Sequence, residues 1–188
     1  MLLVCAAIVA GVGLLTLWSW RIAPLNSDAI KREIVQRNLI TGLAVIAAAA
    51  LVLTLRSPWG EMDDAAGRTV RRVRLAIFLI ATLLLTLAMI TLGQAWESAD
   101  AGWILARAFL GWLGVTVISR QVLGDSRGWW ASFAWAGLSV IAGDSWRVHY
   151  PAWAWSMQGT DHRWASVFAV AAFLIGVSVL ALTPIRSD

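Results

Sequence analysis

The sequence predicts an all-α, polytopic integral membrane protein with six transmembrane helices in one bundle, and two observations support this fold class. Of the 188 residues, 60% are hydrophobic and only 14% are charged, whereas about 25% of the residues in an average soluble domain are charged. The charged residues also cluster in short blocks between long apolar runs, and such runs cross bilayers as helices. The predicted spans are residues 2–20, 39–55, 75–93, 102–119, 128–143 and 164–183, within a single transmembrane domain over residues 1–188.

The first span, residues 2–20, is apolar from its first residue. No basic segment precedes it, so we expect a retained span and not a cleaved signal. Residues 21–38 follow and place Ile30, Ile34 and Val35 on one side of a helix that also bears Lys31, Arg32, Glu33 and Arg37. This pattern predicts a short amphipathic helix lying on the membrane surface, with a solvated loop as the alternative.

The segment between spans two and three, residues 56–74, is the most charged part of the chain. It contains an acidic cluster and then a basic cluster, namely Glu61, Asp63 and Asp64 followed by Arg68, Arg71, Arg72 and Arg74. Acidic residues suit the N-terminus of a helix, and arginines suit its C-terminal end. The segment could dock a cytosolic partner through its charges, or it could be ordinary positive flanking of the spans.

Span four, residues 102–119, contains a single charged residue, Arg107. An arginine at the centre of a membrane costs roughly 2.5–3.5 kcal/mol on insertion scales, so we expect Arg107 to face other helices or water. It could bind an anionic or polar group in a cavity between helices. Alternatively, it could be structural, with its guanidinium at the interface or capped by the carbonyl groups of a neighbouring segment. Gly111 and Gly114 on the same span are candidates for close helix contacts.

Span five is short, and residues 144–163 after it are too polar to cross the membrane. They are rich in aromatic side chains, which include Trp146, Trp153 and Trp155. These tryptophans could line an exit for an amphipathic or lipid-like substrate, or they could form an aromatic belt at the headgroup level. With residues 56–74 cytoplasmic, both termini lie inside, but the basic residues of residues 21–38 oppose this topology, and the side that holds them stays open.

Catalytic and nucleotide-binding motifs are absent from the sequence. It has no GxxxxGK[ST], no HExxH and no GxSxG, and Lys31 is its only lysine. The two histidines fall in one loop, Cys5 is the only cysteine, and the predicted spans contain no Asp or Glu. We therefore expect no enzymatic activity, no metal and no cofactor in this chain. The basic residues lie mostly at span ends, which indicates contact with lipid and not with nucleic acid.

Two segments resemble small six-span permease subunits of type-2 ABC transporters from actinobacteria, which are often linked to peptide antibiotics. The matching segments are Ala106-Arg107-Ala108-Phe109-Leu110-Gly111, continued by Leu113-Gly114, and Trp153-Ala154-Trp155-Ser156-Met157-Gln158. In that family we expect Asn after the arginine and Pro after the second tryptophan, where this chain has Ala108 and Ser156.

The resemblance implies a multi-pass subunit of the bacterial inner (plasma) membrane that exports a substrate. It would pair with a second permease subunit, as a homodimer or heterodimer, and with a cytosolic ATP-binding-cassette ATPase that holds ATP and Mg. Arg107 and the three loop tryptophans would then belong to the substrate pathway. Residues 21–38 would form an interface helix, and the charged residues from Glu61 to Arg72 would couple the chain to the ATPase.

A different class of function fits the absence of catalytic motifs equally well. The chain could be a non-transporting subunit that stabilises or anchors a larger membrane complex, such as a respiratory or cell-envelope assembly. A membrane enzyme acting on lipids is a weaker third reading, because it would need a cluster of polar residues that the sequence does not show.

Overall fold

The computed structural model describes residues 29–54, 67–94, 99–124, 127–145 and 153–182. These residues form five α-helices and one 3-10 turn, and none of them forms a strand. The helices are α1 (Ala29–Thr54), α2 (Gly67–Gln94), α3 (Ala99–Leu123), α4 (Gly128–Ser145) and α5 (Arg163–Leu182), and the 3-10 turn is Trp155–Met157. The predicted all-α class is therefore confirmed for the described residues.

Four of these helices are long and apolar enough to cross a membrane, which indicates a membrane protein. Their candidate spans are Arg37–Thr54, Arg72–Gln94, Asp100–Leu123 and Arg163–Leu182, and they match the predicted spans two, three, four and six. The predicted span five is helical as α4, but its tryptophans, glycines and serines make it too weakly apolar to be a candidate. The predicted span one, residues 2–20, lies outside the described residues.

Residues 29–38 do not form a separate surface helix, contrary to the sequence-based prediction. α1 runs without a break from Ala29 to Thr54, because this part of the chain has neither a proline nor a glycine before Gly42 to interrupt it. Its 26 residues extend about 39 Å at 1.5 Å per residue, whereas the hydrocarbon core is about 30 Å thick. The charged residues at its start are therefore the first turns of the helix that holds span two.

The central helix is α3, which packs against each of the other four helices. Its apolar span is 72% buried, compared with 56% for α1 and 22% for both α2 and α5. The outer sides of α2 and α5 present large aliphatic side chains, among them Leu83, Leu84 and Leu174, which are 57–61% exposed. An apolar surface of this extent is suited to lipid and not to water.

Glycines bring α3 very close to two of its neighbours. A Cβ atom on Gly114 would lie 2.2 Å from the carbonyl oxygen of Ala172 in α5, and one on Gly93 of α2 would lie 2.2 Å from the Cα of Gly102. No side chain fits at these crossings, so the backbones of the paired helices are in direct contact. The prediction that Gly114 makes a close helix contact is confirmed.

The helices alternate in direction, so the bundle has two distinct ends. The loop end contains the starts of α1, α3 and α5, the end of α2 and residues 153–162. The turn end contains the end of α1, the start of α2 and the tight turn between α3 and α4. This turn depends on Gly124, whose φ of 84° is favoured by glycine and follows the last turn of α3.

Candidate functional site

Residues 153–162 at the loop end fold back into the bundle. Ala154 to Gln158 are buried, with exposed fractions of 0–7%. The backbone turns there in the 3-10 turn, where the N–H of Met157 donates to the carbonyl of Ala154 at 3.0 Å. A buried turn leaves carbonyl groups that helical hydrogen bonds do not satisfy, so other parts of the protein must supply donors.

Arg107 of α3 supplies most of these donors. Its Nη1 donates to the carbonyl of Gly159 at 3.1 Å, and its Nη2 donates to the carbonyl of Gln158 and, at 3.5 Å, to that of Trp155. The residue is only 9% exposed. Carbonyl dipoles therefore solvate the charge that the sequence placed inside an apolar span, as expected for a structural arginine capped by a neighbouring segment.

The loop has a second attachment, to the first half of α1 at Arg37 and Thr41. Nη1 of Arg37 donates to the carbonyl of Met157, and Oγ1 of Thr41 donates to Oγ of Ser156 at 3.3 Å. Two arginines from different helices therefore bind successive carbonyls of one short turn. We call residues 155–159, together with Arg37 and Arg107, the arginine-capped turn.

Among the described residues, Arg107 binds backbone carbonyls and no carboxylate. Within the part of the chain that the structure describes, the hydrogen-bond acceptors of Arg107 are backbone carbonyls, and its Nε is buried without a partner. The positive charge of Arg37 also acts on it through space. This arrangement holds the turn in place, because Nη1 and Nη2 of Arg107 each donate to its carbonyls.

Trp155 fills the space between the turn and the central helix. The side chain is 1% exposed, and a Cβ atom on Gly111 would lie 2.3 Å from its Cη2. Its ring lies 5.1 Å from that of Trp112 and 5.4 Å from that of Phe168, measured between centroids. Trp155 is therefore a buried packing residue and does not belong to an interfacial belt, and Gly111 is required because only a residue without a side chain leaves room for the indole.

α4 and α5 contribute two further aromatic residues that the sequence analysis did not identify. The ring of Trp135 lies 6.1 Å from that of Trp112, with the planes at 89°, and 6.0 Å from that of Phe168. Edge-to-face pairs of this kind favour a fixed geometry. We call Trp112, Trp135, Trp155 and Phe168 the aromatic cluster. A tryptophan inside an apolar helix gives no sequence signal that separates a buried position from a lipid-facing one.

The other tryptophans of the predicted pathway are placed differently. Trp153 is 44% exposed, and its carbonyl accepts a hydrogen bond of 3.1 Å from Nε1 of Trp135. Trp164, just beyond the loop, is 82% exposed. Trp146 lies outside the described residues. Exposed tryptophans at one end of the bundle suit the level of the lipid headgroups, so the belt interpretation fits Trp153 and Trp164. The predicted pathway role is not tested by this geometry.

The predicted coupling residues fall partly outside the described residues. Glu61, Asp63 and Asp64 do so completely. Arg68 and Arg71 belong to the first turns of α2, and Arg72 is exposed on the same helix. These arginines therefore lie at the start of α2, the helix of span three. The sequence analysis had instead assigned them to the C-terminal end of a helix. Arg72 is exposed, which weakens the unfavourable interaction of its charge with the positive end of the helix.

A second buried arginine lies at the turn end. Arg120 follows the predicted span four, which ends at residue 119, but α3 continues to Leu123, and Arg120 is 8% exposed. Its Nη1 donates to the carbonyl of Val52 at 3.5 Å, near the C-terminus of α1. Nearby, the hydroxyls of Thr116 and Ser132 share a hydrogen bond of 2.8 Å between α3 and α4. These contacts join three helices at the end opposite the arginine-capped turn.

The described residues do not bring together three or more His, Cys, Asp or Glu side chains that could hold a metal ion. What the loop end shows is a backbone turn that is held by hydrogen bonds from two arginines and by aromatic packing. Comparisons of the chain with protein-family models, with curated proteins and with solved structures find no match.

Proposed function

We propose that the chain is the transmembrane permease subunit of an ATP-binding-cassette exporter. In this proposal it forms six spans, performs no covalent chemistry and moves an amphipathic, peptide or lipid-like substrate. A separate cytosolic ATPase binds ATP and Mg and drives the movement. The subunit lies in the bacterial inner membrane and pairs with a second permease subunit.

The observation that carries the proposal is the contact between the two segments on which the resemblance rests. Residues 106–111 and 153–158 are separated in sequence, yet Arg107 binds the carbonyls of Trp155 and Gln158 and Gly111 receives the ring of Trp155. Their residue types are therefore coupled by packing. This supports reading the two segments as one motif, a turn that re-enters the bundle before the last span and is held by the central helix.

The connections of this turn support a role in movement. The arginine-capped turn and the aromatic cluster together contact α1, α3, α4 and α5. A change in the packing of α3 against its neighbours would therefore move the turn as well. In the proposal, ATP binding below the membrane closes the paired subunits and shifts the bundle between two arrangements, as in other rigid-body transitions across interfaces.

A second candidate function is supported by a specific observation. Nη1 and Nη2 of Arg107 each donate to carbonyls of the chain itself, and Trp155 packs against Trp112. A centre packed in this way suits a structural or anchor subunit of a larger membrane complex, because such a subunit needs stability and no polar path.

Co-purification separates the two candidates. We expect the tagged full-length chain, extracted in mild detergent, to retain a soluble ATPase. The triple reversal Glu61→Lys, Asp63→Lys and Asp64→Lys should release that ATPase, because it inverts the charge of the proposed coupling segment. The matched control is Asp161→Lys, an exposed position at the loop end. Recovery of membrane redox subunits without any ATPase would establish the anchor function instead.

A further inference from the structure

We draw no further inference here: the strongest candidate, the side-chain cluster of the arginine-capped turn, where Nε of Arg107 is buried without a hydrogen-bond partner, belongs to the site already described, and nothing in the described part of the chain shows what group it would bind.

Discussion

Replacing Arg107 by alanine should destabilise the folded protein by about 2–4 kcal/mol. The substitution removes two hydrogen bonds from a charged donor, to the carbonyls of Gly159 and Gln158. Such bonds contribute about 1.5–3 kcal/mol each in soluble proteins and average about 0.6 kcal/mol, with a maximum near 1.7, between membrane helices. We take about 1–2 kcal/mol per bond, which combines the two ranges. Two bonds then contribute about 2–4 kcal/mol.

Arg107→Lys should recover about half of that loss. A lysine keeps the positive charge, but its single ammonium cannot reproduce the fork geometry with which the guanidinium donates to several carbonyls at once. Arg163→Ala is the matched control, because Arg163 is exposed at the same end of the bundle. Exposed substitutions of this kind usually change stability by no more than about 0.5 kcal/mol.

Reversible unfolding of the full-length protein in mixed detergent micelles, followed by tryptophan fluorescence, measures these differences. Hydrogen exchange of residues 153–162 should increase in Arg107→Ala, because the turn loses its main donors. The reasoning is refuted if Arg107→Ala loses less than about 1 kcal/mol and the turn stays protected. A stable Arg107→Ala protein that has lost transport would instead assign the arginine to a substrate pathway.

Two paired substitutions test the helix crossing and the aromatic packing in the same assay. Gly114→Leu should separate α3 from α5 and cost at least about 3 kcal/mol of stability, because a Cβ there would lie 2.2 Å from the carbonyl oxygen of Ala172. The control is Gly137→Ala, where an added Cβ would have no atom within 4 Å. That substitution should be neutral or slightly stabilising. Trp155→Ala should cost about 3–5 kcal/mol, and Trp153→Ala, at a 44% exposed position, less than about 1 kcal/mol. Similar losses within either pair would contradict the assigned contacts.

The sequence was sufficient to locate the site, although not to describe it. An arginine within an apolar span is costly enough that a partner must exist, so Arg107 could be identified without a structure. The polar residues 144–163 could likewise be excluded from the membrane as a span. The partner of Arg107 turns out to be residues 155–159 of this second segment. Their approach depends on how α3 and α5 cross, and no local pattern in the chain encodes that crossing.

The structure corrects three inferences that were made from local polarity. Span four was ended at residue 119, before Arg120, an interfacial belt was one of two interpretations for Trp155, and residues 29–38 were placed on the membrane surface. Tertiary contacts decide the first two cases, and the unbroken course of α1 decides the third. Arg120 reaches the end of α1, the indole of Trp155 has space because position 111 is glycine, and α1 continues because nothing in its sequence interrupts the helix.

By itself, the sequence determined that the protein is helical and lies in a membrane, because the length and apolarity of a segment set the cost of exposing it to water or lipid. It also determined where charge is concentrated. Only the tertiary structure decided that α3 is the central helix and that a turn re-enters beside it. These features arise from the packing of side chains that are distant in sequence, and a lipid-facing residue and a buried one have the same hydrophobicity.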